Sequence, residues 1–405
     1  MREQDVGGGP PAAESEQAQA LRGRDIRNRN EKLVLYTVFR RQGISQPEIA
    51  ELTGLRPPTV LRIFGNLMER KLIVNCGDRR SPRDRRGRKP SFYCTNPDAF
   101  YCVGIDFWSE SAQATIVNFQ GSVLQTDSVR FKRVRRADEV METLAALTER
   151  CLERLGLPRE KILGVGIGTP GRVDVERGRV LYYTGVEGMT DFDIKRRMEE
   201  RLGLPTTIHN TCSVIASSQY RYGPAAHARS LCVVTIRSGV GASLVSGGEV
   251  FLSQNKTILE VGHMSLNADE EPWTSGDTGR LESELSETAI LEALGAVTAV
   301  RSMAEVDGLI DSGEPKVREV LTEKAKIVAI LIWNLFQLIG PELFIIITRS
   351  RRLSEFLARY AEGALLQDPF VRRNSEVRVL GDAYDPLIAC RGAADLVLDS
   401  FFAAR

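Results

Sequence analysis

Apolar residues at helical spacing predict two short helices near the start of the chain. Residues 30–41 form the first, with Asn30 as its candidate N-cap. The apolar side chains of this helix are Leu33, Leu35, Tyr36 and Phe39. The second helix begins at Ser45, whose partner Glu48 lies three residues later and completes a capping box, and it ends at Gly54.

A third helix follows the turn at residues 54–56. It begins at Pro57 and Pro58, because the first turn of a helix has no internal acceptor for its N–H groups and a proline there loses nothing. Its apolar face consists of Val60, Ile63, Leu67 and Met68. Thr59 and Arg62 are left on the outer face. This order of elements is typical of a helix-turn-helix, whose last helix presents its N-terminal residues to the major groove.

A basic loop between two short strands follows the third helix. The strands lie at residues 72–74 and 91–93, and the loop at residues 77–90 combines arginines with glycine and proline. Residues 21–96 hold 18 Lys and Arg against 7 Asp and Glu, although the whole chain has a net charge of only +1. A helical protein-interaction domain is one interpretation, but a basic wing suits phosphate or minor-groove contacts and favours DNA. The predicted DNA-binding residues are Gln46, Arg56, Pro57, Thr59, Arg62, Arg86, Arg88 and Lys89.

Beyond Asn96 the hydrophobic pattern changes to that of an α/β protein. Two strand meanders with glycine-containing turns open at Val103 and at Leu231, and a glycine-rich buried strand lies at residues 162–170. The repeated meander predicts two related lobes. A ligand is expected in the cleft between them.

The most apolar run and the cysteine pattern argue against a membrane protein and against a disulfide-rich or thiolate metal protein. The most apolar run, residues 327–348, is interrupted by Asn334 and Pro341, which predicts a buried helix, a stop and a core strand and no membrane span. The seven cysteines are scattered without a C-x-x-C pair, so neither a disulfide framework nor a thiolate metal site is expected, and a cytoplasmic location is favoured. Residues 1–24 are expected to be a disordered tail.

Seven short motifs, in this order and spacing, resemble those of the ROK family of repressors and sugar kinases, which has the actin-like ATPase fold. They are GRKP, VGIDF, GVGIGTPG, the asparagine after LPTTIH, SGVGAS, LEVGHM and SGDTGRLE. The N-terminal part is similar to the family's branch of xylose and N-acetylglucosamine repressors. The resemblance implies a winged helix-turn-helix at residues 25–97 and a two-lobed, ribonuclease H-like ROK domain after it. Lobe 1 is expected at residues 98–208 and 389–405, and lobe 2 at residues 209–388.

Four positions depart from the family's kinase motifs. The general base that follows the asparagine in the kinases is Thr211 here, and a threonine hydroxyl cannot accept the sugar proton near neutral pH. Arg237 and Ser238 replace the first two residues of the phosphate loop, where glycine lets backbone N–H groups approach an anion. Bulky residues fill the first phosphate motif at 106–110, and the Gly-Gly pair beside adenine is lost at 347–350. The resemblance therefore implies no phosphotransfer, no catalytic residue and no cofactor.

The zinc site of the family is altered in the same way. In the family, one histidine and three cysteines surround the ion. His263 matches the histidine, but Trp273, Ser275 and Arg280 stand at the cysteine positions. The resemblance therefore implies no bound metal.

The sugar-contacting positions match the family better. Asn210, Glu260, His263 and Glu282 stand where the family hydrogen-bonds sugar hydroxyls, and we expect them to bind the effector. The family's Asn-Leu-x-Gly-Trp loop is GVEGM at residues 185–189, which alters one expected sugar contact. The alternative is that Glu260 and His263 satisfy one another in a pocket that no longer binds a ligand.

The sequence as a whole predicts a cytoplasmic DNA-binding transcriptional regulator, with repression as the expected sign. Its expected partners are double-stranded operator DNA, a sugar or phosphorylated sugar, and further copies of itself in a homodimer or homotetramer, with no membrane partner. The alternatives are an ATP-dependent sugar kinase with an appended DNA-binding domain and a ligand-independent regulator.

Overall fold

The computed structural model describes residues 23–77, 91–131, 136–226, 228–252, 258–266 and 280–403. Internal contacts divide the chain into two compact units, with the boundary between Asn96 and Pro97 and with Phe402 grouped in the first unit. The fold is α/β, as predicted: a helix-turn-helix unit precedes a larger unit built on two five-stranded sheets.

Three helices and a small antiparallel sheet form the N-terminal unit. The elements are α1 (Gly23–Arg41), β1 (Ile44–Ser45), α2 (Gln46–Thr53), α3 (Pro57–Glu69), β2 (Ile73–Gly77) and β3 (Phe92–Thr95). The strands pair in the order β1-β3-β2, so β2 and β3 are the strands of the predicted wing. Ser45 and Glu48 form the predicted capping box of α2, and α3 begins at Pro57 as predicted. Buried core residues of this unit include Val34, Val38, Ile49, Val60, Ile63, Phe64 and Leu67.

Two details of these helices differ from the prediction. Helix α1 begins at Gly23 and not after an N-cap at Asn30, because a helix can extend through polar residues that give no apolar signal. Met68 is 43% exposed and does not face the core. The buried stripe of α3 runs through Phe64 and Leu67 and leaves Met68 one position outside it.

The wing strands carry a disulfide that the cysteine pattern did not predict. Cys76 of β2 is bonded to Cys94 of β3, and their Cα atoms lie 5.8 Å apart, a normal separation for a disulfide. The two cysteines are 18 positions apart in sequence, and the pairing of β2 with β3 is what brings them together. The expectation of scattered, unpaired cysteines was therefore wrong for this pair.

The first lobe of the C-terminal unit is a mixed sheet covered by helices. Its elements are β4 (Tyr101–Phe107), β5 (Ser111–Asn118), β6 (Val123–Arg130), α4 (Ala137–Leu155), β7 (Ile162–Thr169), β8 (Arg172–Asp174), β9 (Arg179–Tyr182), α5 (Ile194–Leu202) and β10 (Thr206–Asn210). The sheet order is β10-β7-β4-β5-β6, in which β4, β7 and β10 are parallel and the β4-β5-β6 meander is antiparallel.

The second lobe repeats this topology. The remaining elements are α6 (Thr211–Tyr222), β11 (Ser230–Ile236), β12 (Val240–Ser246), β13 (Glu249–Val250), α7 (Leu281–Leu285), α8 (Glu287–Gly295), α9 (Met303–Ser312), α10 (Pro315–Ile339), β14 (Leu343–Thr348), α11 (Arg351–Leu365), α12 (Pro369–Asn374), β15 (Arg378–Ala383) and α13 (Pro386–Ala403). Its sheet order, β13-β12-β11-β14-β15, again joins an antiparallel meander to parallel strands. The predicted repetition at Val103 and Leu231 is thereby confirmed.

Glycines allow helix α13 to lie unusually close to its neighbours. A Cβ at Gly104 or at Gly166 would lie 1.8 or 1.7 Å from a backbone oxygen of α13, so neither strand position accepts a side chain. On the same helix, a Cβ at Gly392 would lie 2.0 Å from the carbonyl oxygen of Val214 in α6. Helix α13 therefore fixes α6, including the polar residues at its N-terminus, relative to the first-lobe sheet.

The most apolar run of the chain forms the predicted helix, stop and strand. Helix α10 ends at Gly340, whose left-handed backbone conformation is typical of a C-cap, and β14 follows after Pro341. Within the part of the chain that the structure describes, no helix combines the length and the apolar composition needed to cross a bilayer.

Candidate functional site

Helix α3 and its N-cap carry four of the eight residues predicted to contact DNA. Arg56 is the N-cap residue and Pro57 the first helical residue, and both are exposed. Arg62 is exposed further along the helix, whereas Thr59 is half-buried, as is Gln46 at the start of α2. The structure therefore places Arg56, Pro57, Thr59 and Arg62 at the N-cap and in the N-terminal half of α3. The predicted wing residues Arg86, Arg88 and Lys89 lie outside the described residues.

Asn210 and Glu260, two of the predicted effector residues, are connected through the turn between β7 and β8. The side-chain oxygen of Asn210 caps α6 by accepting the backbone N–H of Cys212 at 2.7 Å. Its amide donates to the carbonyl oxygen of Gly171 at 2.7 Å. The next residue, Arg172, places its Nε 3.3 Å from Oε1 of Glu260. An arginine of the first lobe thus pairs with a predicted sugar-binding carboxylate of the second.

Glu282 and His263 complete the predicted effector set. Oε2 of Glu282 accepts the backbone N–H of Val240 at 3.0 Å, which holds the carboxylate at the start of β12. Nδ1 of His263 lies 3.3 Å from Nη1 of Arg280, and His263 itself is exposed. The set therefore offers carboxylate oxygens and an imidazole at a partly exposed position, which are groups suited to hydrogen-bonding hydroxyls.

The charged neighbours of Glu260 include two other predicted effector residues, His263 and Glu282. Burial raises the pKa of Glu260, Arg172 and His263 oppose that rise, and Glu282 adds to it. Within the described ranges, no group of three or more His, Cys, Asp or Glu side chains is arranged to hold a metal ion. Trp273 and Ser275 lie outside those ranges.

A second set of side chains meets where strands of both sheets end. This set, called the Arg237 cluster, consists of Asp106, Trp108, Glu110, Thr211, Arg237, Glu287, Arg349 and Tyr384. Four members directly follow the carboxyl ends of β10, β11, β14 and β15; in that order they are Thr211, Arg237, Arg349 and Tyr384. Parallel strands end at a common edge, so the topology gathers residues that are far apart in sequence.

Arg237 lies at the centre of the cluster, between two aromatic rings. Its guanidinium carbon is 4.1 Å from the ring centroid of Trp108 and 3.9 Å from that of Tyr384. Its side chain is 3% exposed, so these cation–π contacts are desolvated and correspondingly strong. Nη2 of Arg237 donates to Oε1 of Glu110 at 3.0 Å, and Nε lies 3.9 Å from Oε1 of Glu287. The sandwich joins a ring of the first lobe to a cation and a ring of the second.

Arg349 pairs with both glutamates of the cluster. Its Nε donates to both carboxylate oxygens of Glu287, at 2.9 and 2.8 Å, and its Nη2 lies 3.1 Å from Oε1 of Glu110. Burial alone would raise the pKa of Glu110, but Arg237 and Arg349 outweigh burial and lower it. Two guanidinium groups therefore share two carboxylates, although Nε and Nη1 of Arg237 have no hydrogen-bond partner among the described residues.

Asp106 uses both carboxylate oxygens within the cluster. The hydroxyl of Tyr384 donates to Oδ2, and the hydroxyl of Thr211 donates to Oδ1 at 3.0 Å. The oxygen of Tyr384 in turn accepts the indole N–H of Trp108 at 3.0 Å. Burial raises the pKa of Asp106 to about 6, against the lowering effect of the Tyr384 hydrogen bond and the Arg237 charge. The buried Thr211 hydroxyl is thus engaged by a carboxylate.

Sequence reasoning missed Arg172, Glu287 and Tyr384. None of them belongs to a motif that carried the family resemblance, and no periodic pattern marks them. The available signals were local: Tyr384 directly follows a strand, and Glu287 follows Ser286, the N-cap of α8. Arg172 directly follows the Thr-Pro-Gly turn after β7.

Substitution of Arg237 should weaken the C-terminal unit. Arg237→Met keeps an unbranched stem but removes the charge between Trp108 and Tyr384, so we expect the free energy of unfolding to fall by about 3 kcal/mol. Urea unfolding followed by tryptophan fluorescence measures the loss. Arg196→Met, which removes an exposed arginine paired on the surface of α5, is the control and should change stability little. Equal losses in the two variants would contradict a central role for Arg237.

The buried Asp106 carboxyl predicts a pH dependence of stability. Its folded-state pKa of about 6 lies above the usual 3.8, so the folded protein binds the proton more tightly and stability falls as pH rises from about 4 to about 6. Asp106→Asn cannot titrate, so its stability relative to the wild type should rise over that interval, by an amount on the order of 3 kcal/mol. Urea unfolding of both proteins at pH 4 and at pH 7 gives the difference in their free energies of unfolding at each pH. A difference independent of pH would show that Asp106 does not titrate as described.

Comparisons with known proteins agree with this architecture. The ROK family model matches residues 102–399. A xylose repressor from Caldicellulosiruptor bescii is 24% identical in an alignment of 364 positions that covers 86% of this chain and 90% of that one.

Two solved structures share the fold. A ROK family transcriptional regulator, described as a homologue of the Escherichia coli Mlc protein, superposes with a TM-score of 0.76 at 18% identity and covers 93% of this chain and 99% of its own. A ROK family glucokinase from Streptomyces griseus gives 0.64 at 20% identity, covering 74% and 99%. Since the family model matches well over half of its residues, this chain belongs to the ROK family.

Proposed function

We propose that this protein is a DNA-binding transcriptional repressor whose ROK domain senses a sugar or sugar derivative. The observation that carries the proposal is the N-terminal unit, in which α2, α3 and the wing strands form a winged helix-turn-helix with Arg56 and Arg62 exposed. The transcriptional regulator of similar fold covers 93% of the chain, whereas the glucokinase covers 74%, close to the share of the C-terminal unit alone.

The polar set around Glu260 supports a sugar-type effector. Its carboxylates and imidazole are partly exposed where the two lobes meet, and relatives named as xylose repressors belong to the same family. A ligand that binds one lobe arrangement more tightly shifts the population toward it, and we propose that this shift changes the affinity for operator DNA. We further propose that the protein acts in the cytoplasm as a homodimer or homotetramer.

The Arg237 cluster supports the absence of phosphotransfer. By the resemblance to the kinases, it stands where their phosphate and catalytic motifs lie. Thr211 donates its proton to Asp106 and is no general base, and Arg237 with its two rings fills the space that glycines leave open in the kinases. We therefore propose that the protein transfers no phosphate and uses no nucleotide.

The zinc ion of the family does not fit this chain. Nη1 of Arg280 lies 3.3 Å from Nδ1 of His263, so a guanidinium stands beside the imidazole nitrogen. A permanent cation at that distance repels a metal ion and supplies no ligand atom. We propose that His263 serves the effector site without a metal.

Glu260 provides the test of effector sensing. Operator duplexes selected in vitro with the full-length protein are titrated by fluorescence anisotropy with and without a panel of neutral, N-acetylated, acidic and phosphorylated sugars. Glu260→Gln should keep the sugar-free affinity for DNA but weaken the response to the active sugar by roughly tenfold or more, because a charged hydrogen bond is lost. Glu319→Gln, an exposed glutamate of α10, is the matched control.

The outcomes separate the two halves of the proposal. If no sugar alters operator affinity or the unfolding temperature of the wild type, sensing is wrong while DNA binding stands, and the protein is a ligand-independent regulator. If Glu260→Gln responds like the wild type, the effector does not bind at Glu260.

A coupled assay for ADP formation tests the absence of phosphotransfer. With Mg-ATP and the same sugars, turnover should not exceed the protein-free background. Thr211→Asp restores a carboxylate at the position of the kinase base, but it should remain inactive because the Arg237 cluster still fills the space beside it. Robust sugar-dependent turnover by the wild type would establish the alternative, a sugar kinase with an appended DNA-binding domain.

A further inference from the structure

Leu61 is a large apolar side chain on the outer face of α3. It is 61% exposed, whereas Val60 before it and Phe64 three residues after it belong to the buried face of the helix and are almost fully buried. Arg62 beside it is also exposed. Packing within the N-terminal unit therefore does not explain why a leucine occupies this position.

Gly65 lies four residues after Leu61, on the same outer face. A Cβ at Gly65 would meet nothing within 4 Å, and its backbone is not in the left-handed region. Glycine is among the least favourable residues in a helix interior, so its presence here has a cost that the packing of the unit does not require. A missing side chain does, however, let another molecule approach the helix closely.

The surroundings of Leu61 fit duplex DNA better than an apolar protein partner. Arg56 at the N-cap and Arg62 flank it, and the first turn of α3 holds no acidic residue. Among the residues that the structure describes, no carboxylate oxygen lies within 4.0 Å of either arginine. Two cations without counter-ions beside an apolar side chain match a groove lined by phosphates.

The major groove offers one apolar feature at base edges, the 5-methyl group of thymine. Leu61 lies in the N-terminal half of α3, the part of a recognition helix that reaches base edges. We propose that Leu61 reads a thymine methyl group in the operator and that Gly65 allows α3 to come close enough for this contact. The proposal rests on the proposed DNA-binding function and adds a specificity-determining residue to it.

Deoxyuridine substitution tests the contact directly, because it removes only the methyl group. Each thymine of the selected operator is replaced in turn, and full-length wild type and Leu61→Ala are titrated by anisotropy. The wild type should lose roughly fourfold in affinity at one or two positions, the effect of one buried carbon group. Leu61→Ala should bind the thymine operator more weakly and should no longer distinguish thymine from uracil at those positions.

Two further variants separate this contact from a structural role. Leu52→Ala removes a leucine of similar exposure, 53%, from α2 and should retain full discrimination of thymine from uracil. Gly65→Ala should leave the unfolding temperature unchanged or higher, because alanine favours the helix, yet weaken operator binding several-fold. Stronger or unchanged binding by Gly65→Ala would contradict the close approach.

The result can fail in two distinguishable ways. If selection yields a specific duplex but Leu61→Ala still distinguishes thymine from uracil, or if no thymine is sensitive, Leu61 does not read a methyl group and its exposure serves another partner. If the full-length protein selects no duplex, the proposed DNA-binding function itself is wrong and this inference falls with it.

Discussion

The stacking of the Arg237 guanidinium between Trp108 and Tyr384 is the interaction on which the C-terminal unit depends. Trp108 belongs to the first lobe, and Arg237 and Tyr384 belong to the second, so the stack holds the two lobes together where their strands end. A guanidinium removed from water must recover its hydration free energy from other charges and dipoles. Glu110, Glu287 and the two ring faces supply part of that compensation, while Nε and Nη1 of Arg237 have no hydrogen-bond partner among the described residues.

The members of the Arg237 cluster require one another. Arg237 without Glu110 would leave a buried cation unpaired, and Glu287 without Arg349 would leave a buried anion poorly paired. In sequence, the departures from the kinase motifs look like four separate losses. In space, the residues at these positions form one closely packed arrangement of large charged and aromatic side chains.

The sequence predicts those features that local chemistry determines. The capping box of α2, the proline start of α3 and the two strand meanders all follow from residues within one turn or one strand of each other. Local sequence does not predict the pairs Cys76–Cys94 and Glu287–Arg349. Strand register and helix packing bring these residues together although they are 18 and 62 positions apart. The resemblance to the ROK family supplied the predicted effector residues, but the pairing of Arg172 with Glu260 emerges only when the two lobes face each other.

The two interlobe contacts differ in how far their side chains are exposed. The Arg237 side chain is 3% exposed, whereas the Arg172 and Glu260 side chains are 46% and 29% exposed. A partly exposed ion pair contributes little to stability, so a ligand can displace it at small cost, but the buried cluster cannot open without leaving charges unpaired. A ligand shifts a conformational equilibrium only through its differential affinity for the two states. The proposed effector would act at the Arg172–Glu260 contact and leave the Arg237 cluster in place.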